Sequence, residues 1–141
     1  NLTALRFNTD YVINRTLSST SGNINLTGSG LAWNGSSSNF TFTSGTGTIN
    51  FNYTGNNLVS FNPAGVTHNN VNFLSPNIKF LDGGNYNSLN FQPGTEITVS
   101  QVKVQTFSTL TASGNCGSYI IFKSDNPCKK ILAISLAIKS L

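Results

Sequence analysis

An apolar–x–apolar triplet recurs along this chain at nearly constant spacing, and that recurrence constrains the fold more than any other feature. Phe40-Thr41-Phe42, Val59-Ser60-Phe61, Ile78-Lys79-Phe80 and Ile97-Thr98-Val99 begin at positions 40, 59, 78 and 97, each nineteen residues after the last. A second series, Leu31-Ala32-Trp33, Ile49-Asn50-Phe51, Val71-Asn72-Phe73 and Leu89-Asn90-Phe91, advances by 18, 22 and 18 residues. The longer step contains "NPAGVTHNN", which has the composition of a loop insertion. A period near 20 residues with two strands in each repeat points to a β-solenoid.

Side chains alternate along a strand, so the first and third residues of each triplet face one way and the middle residue the other. Stacking equivalent triplets about 4.8 Å apart builds internal columns. One holds Phe42, Phe61, Phe80 and Val99, and another Phe51, Phe73 and Phe91. Such spacing suits aromatic packing. The expected fold is therefore all-β, a parallel β-solenoid with coils of about 18–22 residues. A β-sandwich whose hairpins recur at similar intervals is the alternative. The breaks between triplets, such as Gly28-Ser29-Gly30, Pro63-Ala64-Gly65 and Pro93-Gly94, are turn formers.

The 141 residues suffice for one continuous core, and we read 1–141 as a single solenoid domain. The chain opens at Asn1 without a leader pattern, so a segment of a longer protein is expected. Residues 125–141, "DNPCKKILAISLAIKSL", read as a cap or junction. Their apolar run is too short to span a bilayer and contains Lys139. Cys116 and Cys128 either close a short disulfide loop, contributing about 3 kcal/mol, or remain two buried thiols. No CxxC pair and no nearby histidine accompany them, which excludes a zinc site.

Charged residues make up 9% of the chain, against roughly 25% in ordinary domains. The net charge of +4 is spread over distant positions, with Lys129-Lys130 the one adjacent pair. That scatter argues against a nucleic-acid-binding face. The acidic residues Asp10, Asp82, Glu96 and Asp125 form no acid–base motif. Asp82 in "LDGGN" reads as a turn residue and Glu96 as solvent-facing. The single histidine, His68, reads as a loop residue without a partner, and neither Ser60 nor Ser75 lies in a nucleophile elbow. No catalytic residue, metal site or cofactor is predicted.

The surface that stands out is the outward row Asn50, Asn72 and Asn90, one from each second-series triplet. Amides in register either bond one another along a ladder or offer donors and acceptors to a glycan.

Three phrases carry a resemblance to a known group. "FNPAGVTHNNVNF", "NYNSLNFQPGTEITV" and "TLTASGNCGSYIIFKSD" resemble the repetitive β-solenoid regions of large secreted proteins of Bacteroidota, the matching residues being Asn70 to Phe73, Pro93 to Val99 and Thr111 to Ser124. The resemblance covers about half of the chain and departs after Ser124. It implies export by a type IX secretion route, exposure at the cell surface or release, and an adhesin-like role.

The expectation is a non-enzymatic stalk or adhesin-like module, with surface glycans or cell-surface proteins as partners. The alternative is a carbohydrate-binding module in which Trp33, Tyr53 or Tyr86 provides a stacking platform.

Overall fold

The computed structural model describes residues 1–9, 13–36, 39–101 and 103–126, which form strands and no helix. The first coil carries β1 (Leu2–Ala4), β2 (Phe7–Asn8) and β3 (Arg15–Ser19). The second carries β4 (Asn23–Leu26), β5 (Gly30–Asn34) and β6 (Phe40–Ser44). Then come β7 (Thr48–Phe51) and β8 (Val59–Asn62), followed by β9 (Thr67–Phe73) and β10 (Asn77–Phe80). The last two coils hold β11 (Gly84–Phe91) with β12 (Glu96–Val99), and β13 (Gln105–Ala112) with β14 (Ile121–Ser124).

Every strand pairs in parallel with its counterpart one coil away. The first face is the sheet β1-β4-β7-β9-β11-β13, and the second is β2-β5-β8-β10-β12-β14. A third, two-stranded sheet joins β3 to β6. The chain is thus a β-solenoid. Parallel pairing of sequence-distant strands excludes the sandwich, whose hairpins would pair antiparallel.

From residue 49 onward the predicted columns form. Phe51, Phe73 and Phe91 share one register on the first face. Their rings stack at 4.6 Å and 5.2 Å with interplanar angles of 17° and 8°. Phe61, Phe80 and Val99 share a register on the second face, nineteen residues apart. The two columns meet edge to face, with Phe73 lying 5.8 Å from Phe61 and 5.4 Å from Phe80. Each such ring contact adds about 0.5–1.5 kcal/mol to the burial of its carbon surface.

The earlier coils depart from the predicted register. Phe40-Thr41-Phe42 does not precede Val59-Ser60-Phe61; it belongs to β6 and pairs with Arg15-Thr16-Leu17 of β3. Trp33 fills the position above Phe61, and a bulge between Leu31 and Trp33 takes up one residue. The strand above Ile49-Asn50-Phe51 is likewise Ile24-Asn25-Leu26, and not Leu31-Ala32-Trp33. The first coils are longer because each carries a third strand. Trp33 pairs with Phe61 twenty-eight residues on, and Ile24 with Ile49 twenty-five residues on. Coil length therefore exceeds the expected 18–22 residues in this half.

The segment read as a loop insertion is also different. Only Pro63-Ala64-Gly65 forms a turn, with Ala64 and Gly65 at positive φ (54° and 73°) and Val66 N–H bonded to Pro63 O at 3.2 Å. The following Thr67–Asn70 is the front half of β9 and passes beside β6. In β9, β11 and β13 the in–out alternation slips by one residue. Asn69 and Asn70, Asn87 and Ser88, and Ser108 and Thr109 all face outward between inward neighbours. One long strand thereby serves two faces, and the shorter coils need no separate third strand.

Candidate functional site

The middle residue of each first-face triplet points outward, as period-two alternation requires. Asn72 Nδ2 donates to Asn50 Oδ1 at 2.8 Å, and Asn90 Nδ2 donates to Asn72 Oδ1 at 2.7 Å. Asn50 Nδ2 continues the ladder to Asn25 Oδ1 at 2.9 Å. Thr3 and Thr111 hold the equivalent positions at its two ends. Asn25 falls outside the periodic series that begins at Leu31, although Ile24-Asn25-Leu26 has the same apolar–Asn–apolar form, because its strand lies twenty-five residues before Ile49-Asn50-Phe51 and not eighteen.

A second ladder lies at the end of the second face. Asn34 Nδ2 donates to Asn8 Oδ1 at 3.2 Å, and Asn62 Nδ2 donates to Asn34 Oδ1 at 3.1 Å. Asn34 is buried and also accepts from Ser36 Oγ at 2.7 Å. Its sequence signal was an asparagine directly after the inward aromatic, in Phe7-Asn8, Trp33-Asn34 and Phe61-Asn62. Both ladders tie one coil to the next. Net hydrogen bonds of this kind are worth about 0.5–1.5 kcal/mol each.

The described carboxylates are all engaged by lysines of other coils. Lys103 Nζ lies 2.8 Å from Asp82, Lys123 Nζ 2.7 Å from Glu96, and Lys79 Nζ 3.3 Å from Asp125. The Lys103 ammonium and the Gly83 N–H hold the Asp82 carboxyl below the usual carboxylate range. A general acid needs the opposite shift. Asp82 also caps its turn, accepting from Gly83 N–H at 2.7 Å as its sequence suggested. Asp10 lies outside the described residues.

His68 is not a loop residue. It sits on β9, fully buried between the rings of Phe42 at 5.1 Å and Tyr86 at 5.8 Å, with Trp33 and Phe61 beside it. Neither ring nitrogen makes a hydrogen bond of good geometry among the described residues. Burial pulls its pKa from 6.5 to about 4, and the nearby Pro63 carbonyl offsets part of that shift. Ser60 occupies the outward middle of its triplet, and Ser75 is buried, donating to Phe51 O at 3.2 Å. Neither serine is hydrogen-bonded to His68.

The proposed stacking platforms are also internal. Trp33 and Tyr86 belong to the core, and Tyr53 is half-buried against it. Cys116 is exposed with a free thiol, and Cys128 lies outside the described residues, as does 127–141 of the predicted cap. No group of three metal-ligating side chains occurs among the described residues, and no described helix is long and apolar enough to cross a membrane. No protein-family model, curated protein or solved structure matches the chain.

Proposed function

We propose that this chain is a non-enzymatic structural module of a secreted or cell-surface protein, acting as a stiff stalk segment with a repetitive contact surface. The observation that carries the reading is continuity along the axis. Aromatic columns and two amide ladders each link successive coils in one register. Repeat proteins built this way distribute their stability over nearest-neighbour interfaces, and their repeated outward groups suit weak contacts made many at a time. Export by a type IX route is the localisation implied by the resemblance noted above.

Pulling the chain by its two ends in a single-molecule force experiment tests the stalk. Resistance with stepwise release of coils is expected, and smooth extension at low force would sink the reading. Location has its own test. An antibody to the chain should label intact producing cells, and labelling only after lysis removes the surface role.

A second reading, a carbohydrate-binding module, is favoured by the uncharged amide and hydroxyl surface of the first face. Thr48, Asn70, Ser88 and Thr109 form a row there beside the ladder. With Trp33 and Tyr86 buried, recognition would rest on hydrogen bonds.

A further inference from the structure

The outward polar side chains of this solenoid fall into two populations. Those of the first-face ladder already bond each other, Asn50, Asn72 and Asn90 each holding a neighbour's amide. Those on the front halves of β9, β11 and β13 do not. Thr67, Asn85 and Thr106 stand in one row across these strands, with Asn87 and Ser108 beyond them. Between the rows runs an open trough of about 310 Å³, floored by the strands at Tyr86 and Phe107. Asn87, Thr106 and Ser108 are exposed, and neither they nor Thr67 make a side-chain hydrogen bond among the described residues. Asn85 has one long contact, to Gly65 O at 3.4 Å.

We infer that this trough, and not the Asn50–Asn72–Asn90 ladder, is the ligand-contacting site of the module, and that its ligand is a neutral glycan. This assignment rests on the contact-surface reading and names the ligand class for it. No lining residue carries a charge, and the nearest described ion pair, Lys103–Asp82, is closed on itself at 2.8 Å. Amide and hydroxyl groups both donate and accept, as sugar hydroxyls do, so each can match either sense of hydrogen bond. An anionic ligand would find no unpaired cation among the lining residues, and an apolar one would leave these polar groups desolvated and unpaired. The rows repeat at the coil spacing of about 4.8 Å, so successive sugars of an extended chain meet equivalent groups. Each contact is weak, and repetition along the axis supplies avidity.

The test uses the full chain with soluble neutral glycans (cello- and chito-oligosaccharides, mannan and xylan) and polygalacturonate as the charged comparison. Titration followed by amide chemical shifts should show saturable changes at Asn87, Thr106 and Ser108 with at least one neutral glycan, and none with polygalacturonate. The double variant Asn87→Ala/Ser108→Ala removes two exposed, unbonded side chains, so folding is preserved, and binding should weaken about tenfold. Thr98→Ala, on the second face, should leave binding unchanged. Unaltered binding in the double variant, or shifts confined to the Asn72 ladder, overturns the trough and leaves a contact surface elsewhere. Absence of all neutral-glycan binding also overturns it. In that case, adhesion of chain-coated beads to protein-coated or cell surfaces keeps the contact-surface reading, and no adhesion sinks that reading too.

Discussion

The two halves of this solenoid solve the same problem with different amounts of chain. In the first two coils the third face is a strand of its own, β3 or β6, and the strands of the second face pair twenty-six and twenty-eight residues apart. From β8 to β12 the same face advances by nineteen, because β9 and β11 slip their alternation once and cover two faces. The core columns continue through the change: Leu26 gives way to Phe51 in unbroken register, and Trp33 to Phe61 after a one-residue bulge. Repeat length in this fold is thus a property of its corners, and the columns are indifferent to it.

If the later coils are the better-packed half, truncating a ring should cost more there. Phe73→Ala removes a fully buried ring stacked on both neighbours, and a loss of about 3–5 kcal/mol is expected in urea unfolding. Phe42→Ala, in the half-buried third sheet, should cost less. Equal losses would erase the distinction.

The seam between the halves carries the next largest effect. His68 of β9 rests on Phe42 of β6, and its pKa falls from 6.5 to about 4 in the fold. Between those values the unfolded chain binds a proton that the folded chain refuses, so stability falls as pH drops from 6.5 toward 4 and is unaffected by this group above 6.5. The full loss is about 3 kcal/mol. Thermal unfolding across pH 4–7 should show the slope, and His68→Phe should flatten it.

Gly45 sharpens the contrast from the early side. Its N–H bonds Ser19 O at 2.7 Å, and a Cβ there would collide with the backbone of Ser19 and Thr20. Gly45→Ala should therefore destabilise by about 1–3 kcal/mol, read as a shifted urea midpoint. The ladder spans both halves, and Asn72→Ala breaks two of its bonds for about 1–2 kcal/mol. Asn25→Ala breaks one and should cost about half as much by the same measurement. The exposed Lys103–Asp82 pair is the smallest case, with Lys103→Ala expected below about 1 kcal/mol and dependent on salt.

The sequence was most legible where strand and repeat coincided. Val59-Ser60-Phe61, Ile78-Lys79-Phe80 and Ile97-Thr98-Val99 stack as their spacing implies. Asn50, Asn72 and Asn90 form the ladder their middle positions suggested. It failed where local pattern is degenerate. Phe40-Thr41-Phe42 looks like any face triplet, and only its pairing with β3 distinguishes it. His68 was hidden by flanks rich in Asn, Gly and Pro, while its burial comes from Trp33, Phe42, Phe61 and Tyr86, four rings supplied largely by other coils. The trough had no signature either, since unbonded and bonded asparagines read alike in one dimension.

Parallel in-register pairing has a consequence for inheritance. Because Phe51, Phe73 and Phe91 occupy interchangeable positions, duplicating or deleting one whole coil joins a strand to a partner of the same kind. A single residue inserted into a strand instead turns its inward side out. Length change in units of coils is thus expected to be better tolerated than change by single residues within a strand. A bulge, such as the one between Leu31 and Trp33 within β5, is the device that absorbs a lone residue without inverting the strand beyond it.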